Sequence, residues 1–188
     1  MGEEFLGDRR KALEDAFFAK QDAELRRKLQ EAESARMMKE ALRAAAGITD
    51  DAVLDQLIAL GIHSETVAAL ALIPLVEVAW ADGSIDARER QAILSAAQGT
   101  GLAEHDMSYQ LLESWVTNRP APTLLSAWKS YVGALAAALS AEAKDALRQD
   151  LLGRARAVAE AAGGFLGLGN KVSPAEHAKL TELEQAFS

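Results

Sequence analysis

Val78-Ala79-Trp80-Ala81-Asp82-Gly83-Ser84-Ile85-Asp86-Ala87-Arg88-Glu89 is the stretch on which the fold turns. An apolar segment runs into Asp-Gly-Ser, a combination that breaks a helix. Asp86 then stands in the N-cap position of a new helix, and Glu89, three residues on, completes a capping box. The bend therefore joins two helices. Upstream, Val67 to Ala81 is the most apolar part of the chain, interrupted by Pro74 and Glu77. A bilayer span needs roughly 20 apolar residues, so this segment reads as a buried core helix from Thr66 to Ala81, with Ser64 as its cap.

Working outward, the same helical character extends in both directions. Ala supplies 39 of the 188 residues, and Leu, Glu, Gln, Arg and Lys fill much of the rest. These residues lose little side-chain entropy in a helix, and no stretch shows strand-like alternation. The expected fold class is all-α. Helices are expected from a start at Thr49, Asp50 and Asp51 to about Leu60, then at Ala87–Gln98, Glu104–Thr117, Thr123–Leu139, Ala141–Ala162 and Pro174–Phe187. Asn118-Arg119-Pro120-Ala121-Pro122 and the Gly-rich turn 163–169 separate the later ones.

Residues 1–46 differ in kind. They hold 10 of the 20 basic and 10 of the 28 acidic residues, so the whole net charge of −8 falls on residues 47–188. The chain is thus read as an amphipathic helical arm, 1–46, and a helical domain, 47–188. A single arm helix is roughly 60 Å long at about 1.5 Å per residue. Its apolar positions, Leu6, Leu13 and Phe17, then Phe18, Leu25 and Leu29, repeat a seven-then-four spacing. That stripe is too thin to stabilise an isolated helix. Asp22–Arg26 and Glu24–Lys28 are i,i+4 pairs in the favourable order.

Several classes are excluded by composition. The negative balance speaks against a nucleic-acid binder. With no Cys there is no disulfide framework, thiolate nucleophile or Cys-based zinc site. The amino terminus turns charged at once, without a signal-peptide apolar region, and Leu6 stands where a myristoylation signal wants Ser or Thr. A cytoplasmic protein without a membrane span is expected. Gly164-Phe165-Leu166-Gly167-Leu168-Gly169-Asn170-Lys171 lacks the Gly-Lys-Ser/Thr series of a phosphate loop. His63, His105 and His177 show no zinc-ligand spacing, and Trp80, Trp115 and Trp128 sit in apolar helical patterns that place them in the core. No nucleophile elbow or zinc-protease pair is present, so a non-enzymatic protein is expected.

The bend resembles the signature of the tellurite-resistance TerB-like family: an apolar helix ending in Ala81-Asp82-Gly83, then Ile85-Asp86, then Glu89, followed by Ile93 and Leu94. A degenerate second copy, Val172-Ser173-Pro174-Ala175-Glu176 with Leu180, is an internal repeat. The resemblance covers about residues 63–188. It implies an all-helical domain, an acidic divalent-metal site, and roles in stress-linked assemblies rather than catalysis. The residues themselves leave two readings open. In one, Asp86 and Ser173 are N-caps boxed by Glu89 and Glu176, with Pro174 favouring the helix start. In the other, Asp82, Asp86 and Glu89 converge on Ca²⁺ or another divalent cation, as in the back half of an EF-hand loop. Val78 and Trp80 occupy that loop's first and third ligand positions without side-chain oxygens. Such a site draws on Glu77, backbone carbonyls or water, and is weak. Gly169 and Ser173 in the second copy speak against a second metal site.

The arm is similar to the start of the bacterial F-type ATPase inhibitor (zeta-type) family. The likeness rests on Asp8-Arg9-Arg10, then Phe17-Phe18, then Glu24-Leu25-Arg26. It implies a helix laid against ATPase catalytic subunits, with Arg9, Arg10, Phe17 and Phe18 as charged and aromatic anchors. Protein partners are accordingly expected, through the body or through the arm.

Overall fold

A computed structural model describes residues 2–162 and 172–187, with side chains from Phe17 to Glu160 and from Val172 to Phe187. Among the described residues there are helices and no strands. Eight α-helices follow in order: α1 Gly2–Ala46, α2 Asp51–Ala59, α3 Ile73–Ala79, α4 Ala87–Gly99, α5 Met107–Thr117, α6 Thr123–Ala137, α7 Ala141–Ala162 and α8 Pro174–Glu184. Short 3₁₀ helices cover Val67–Leu72 and Gln185–Phe187. The all-α reading holds. No helix among the described residues is long and apolar enough to cross a membrane.

The chain divides into two compact units, Met1–Glu40 and Ala41–Ser188. The division falls inside α1, before Ala41. The reason is burial: Leu42 is fully buried and Ala46 nearly so. The Tyr131 hydroxyl also donates to the Ala46 carbonyl at 3.3 Å, and Arg43 reaches the Asp51 carboxylate at 2.6 Å. Gly47, at φ 69°, ends the helix with its N–H on the Arg43 carbonyl. That left-handed conformation carries no steric cost for Gly.

Within the second unit α3 is the central element. Ile73, Leu75, Val76 and Val78 are all fully buried, and the helix packs against α4, α6, α7 and α8. From α7 come Leu151, Ala155, Val158 and Ala159, all buried, a small-residue face that lets the two helices approach. The single helix expected from Thr66 to Ala81 is instead a 3₁₀ segment followed by α3. Pro74 explains the break. It has no N–H to give to a continuous ladder and is tolerated in the first turn, where α3 places it. Ser64 does not cap this segment. Its start is held by Thr66, whose Oγ1 accepts from the His63 N–H at 2.9 Å.

Trp128 is fully buried and Trp115 nearly so, as their patterns imply. Trp80 is only half-buried. It caps the end of α3, and its indole N–H donates to the Trp115 carbonyl at 2.9 Å, tying α3 to the end of α5. Helix α5 starts at Met107, later than Glu104, because Asp106 turns its Oδ2 to the Ala103 N–H at 2.7 Å and holds a tight turn there.

Candidate functional site

The bend after α3 is built by local backbone chemistry. Trp80 ends the helix, and Gly83 donates its N–H to the Trp80 carbonyl at 3.0 Å, with φ at 99°. A side chain at Gly83 is strained at that φ even though space is open around it. Asp82 turns its Oδ1 to the Ser84 N–H at 3.1 Å, closing an Asx turn. Asp86 is the N-cap of α4 and its Oδ1 accepts from Arg88 and Glu89 N–H at 2.7 and 2.8 Å. Glu89 reaches back, its Oε2 accepting from the Asp86 N–H at 2.7 Å.

The repeat read from sequence has a structural counterpart. Ser173 caps α8, its hydroxyl accepting from the Glu176 N–H at 3.2 Å, while Glu176 Oε2 accepts from the Ser173 N–H at 2.6 Å. Both boxed glutamates are buried, at 5% and 7% exposure. Burial pushes the Glu89 carboxyl above the ordinary range. The backbone N–H of Asp86 opposes that shift, and the charges of Asp86, Asp82 and Glu176 add to it. The charge of Glu176, in the second box, is thus one of the influences on Glu89 in the first.

Asp82, Asp86 and Glu89 thus each aim an oxygen at a backbone amide, two of them within one capping box. Among the described residues no group of three or more His, Asp or Glu side chains is arranged to hold a metal ion. The geometry performs the capping chemistry in full. Each such cap contributes about 1 kcal/mol to its helix.

A second charged constellation lies where α3, α6 and α8 meet. Glu77, 13% exposed, has Lys179 Nζ at 3.6 Å. Lys179 in turn pairs with Glu182 at 2.8 Å, and Glu182 with Lys129 at 2.7 Å. Burial raises the Glu77 carboxyl above its usual range against the opposing pull of Lys179, whereas Lys129 and Lys179 hold Glu182 below it. Charges alternate along this row, and its partners sit on three helices, so it fixes α8 on the core. The sequence signal for it was the lone acid inside the apolar run. Its partners lie far along the chain and have no spacing that announces them.

On α1, Phe17 and Phe18 are exposed at 56% and 65%, their rings edge-on with centroids 5.9 Å apart. Leu25 and Leu29, on the face of Phe18, are exposed at 56% and 62%. Around them the helix carries the expected ion pairs, Asp22–Arg26 at 3.1 Å and Glu24–Lys28 at 3.0 Å, and further pairs at Arg27–Glu31 and Glu33–Arg36. Arg9 and Arg10 lie in α1, but their side chains fall outside the described residues. So does the Gly-rich turn 163–169. Of the histidines, His105 and His177 are exposed and His63 is half-buried.

Comparison with protein-family models, with curated proteins and with solved structures gives no match to this chain.

Proposed function

We propose that this chain is a non-enzymatic, cytoplasmic interaction module: a TerB-like helical body whose α1 presents the surface that a protein partner reads. Exposed aromatic and aliphatic side chains on α1 carry this reading, Phe17, Phe18, Leu25 and Leu29 above all. Large apolar side chains grouped on one exposed element are characteristic of contact surfaces, and aromatic anchors dominate binding energy there. In sequence Arg9 and Arg10 precede these anchors, and the reading counts them among the contacts. The joint at Asp82, Asp86 and Glu89 serves the body as a helix start, so the interaction reading stands without a bound cation.

The exposed Phe17–Phe18 pair favours a second, narrower version, in which the partner is the catalytic assembly of an F-type ATPase and α1 restrains it. Both versions are tested with the full chain carrying Phe17→Ala and Phe18→Ala together. Both residues are exposed, so its melting temperature is expected to match the parent. Loss of two aromatic anchors, each worth about 2 kcal/mol or more at a hot spot, weakens partner capture at least tenfold. A variant that captures the same proteins as strongly as the parent refutes the reading. Addition of the chain to a purified F-type ATPase decides the narrower version: slowed ATP hydrolysis, relieved in the double variant, supports it, and an unchanged rate ends it.

A further inference from the structure

Helices α7 and α8 line an open cleft of about 390 Å³ whose lining has an order to it. At one end Arg148 of α7 pairs with Glu184 of α8 at 2.8 Å. One turn along, Leu152 and Leu180 supply an apolar middle, with Val172 beside them. A further turn along each helix brings the same antiparallel register to Arg156 on α7 and His177 on α8. Arginines thus recur at matching positions of α7, but the second faces an imidazole where the first faces a carboxylate. Both Arg156 and His177 are exposed, and no ion pair holds the Arg156 guanidinium among the described residues. Of the acids within about a turn of it, Glu184 pairs with Arg148 and Glu176 accepts the Ser173 N–H, while Glu160, four residues on along α7, stands exposed to solvent. The Thr181 hydroxyl donates to the His177 carbonyl at 3.1 Å and leaves its oxygen able to accept.

An apolar floor with an uncompensated cation at one end is complementary to a compact apolar body bearing one negative charge. The volume lies within the range of small-ligand sites, about 300–1,000 Å³. We propose that this cleft binds a small carboxylic acid with a branched or aromatic body. Its carboxylate meets Arg156, in the planar two-point geometry a guanidinium favours, and its apolar part rests on Leu152 and Leu180. His177 donates a ring N–H to the same anion. The proposal stands independently of the interaction reading.

Benzoate and its neutral counterpart benzyl alcohol are the probes, added to the full isotope-labelled protein while the resonances of Leu152, Leu180 and His177 are followed. Benzoate is expected to shift these three in a saturable way. Benzyl alcohol, which fills the same space without the charge-assisted hydrogen bond, binds about tenfold or more weakly. Arg156→Gln is exposed and keeps the fold, with an unchanged melting temperature, and it weakens benzoate by a similar factor. Absence of shifts at these residues, equal binding of the alcohol, or undiminished benzoate binding by Arg156→Gln each overturns the assignment.

Discussion

Trp128→Ala is expected to lower the unfolding free energy by about 3–5 kcal/mol, the range for emptying a buried aromatic site. The side chain is fully buried, and its ring meets Phe187 edge-on at 6.3 Å, so it fastens the carboxyl-terminal 3₁₀ turn to α6. At about 2–4 °C per kcal/mol for a domain of this size, the melting temperature falls by roughly 6–20 °C. Trp128→Phe separates area from polarity. The indole N–H is buried with no hydrogen-bond partner among the described residues, so the native side chain already bears a desolvation cost that Phe does not. The smaller ring loses contacts and removes that cost, and the net change is expected to stay below about 1.5 kcal/mol. Urea unfolding followed by circular dichroism measures both. Equal losses in the two variants would show that the indole edge, not the ring volume, is what the core requires.

Glu89 gives the second large effect, with two substitutions pulling apart. Glu89→Ala leaves the Asp86 N–H without its acceptor in a half-buried joint and is expected to cost about 1–3 kcal/mol. Glu89→Gln keeps an acceptor, as the capping box allows, and removes a buried charge. Because burial raises the native carboxyl above its unfolded value, the native state holds the extra proton between those two values. Stability from this group is therefore complete below the unfolded value and declines as pH rises through the native one. Glu89→Gln lacks that decline. Its stability relative to the parent is expected to increase from acid to neutral pH, read from urea midpoints across that range. A constant difference would mean that the carboxyl titrates normally.

Much of this is legible in the sequence, for definite physical reasons. The capping boxes are short-range: Asp86 with Glu89, and Ser173 with Glu176, need only a three-residue spacing and a helix to start. Helix class followed from an Ala-rich composition that suits no strand. Where sequence and structure differ, a non-local or steric fact decides. Pro74 split one expected helix into a 3₁₀ segment and α3. Leu42 drew the last turn of α1 into the second unit, which an amphipathic stripe alone does not reveal. The row Glu77–Lys179–Glu182–Lys129 joins residues up to about a hundred positions apart, and no spacing rule finds it. For Asp82, Asp86 and Glu89, sequence placed three acids in one bend, but only geometry shows that each oxygen faces an amide.

That the acidic bend is a structural joint is tested most directly by thermal melting in excess Ca²⁺ and in chelator, for the parent chain, Asp82→Ala and Asp86→Ala. The carboxylates already serve backbone amides, so each protein is expected to melt at the same temperature in both solutions. Asp86→Ala should lie below the parent by the equivalent of about 1 kcal/mol in each. A melting temperature that rises with Ca²⁺ in the parent and no longer rises in Asp82→Ala would contradict the account, because the bend would then be a cation site.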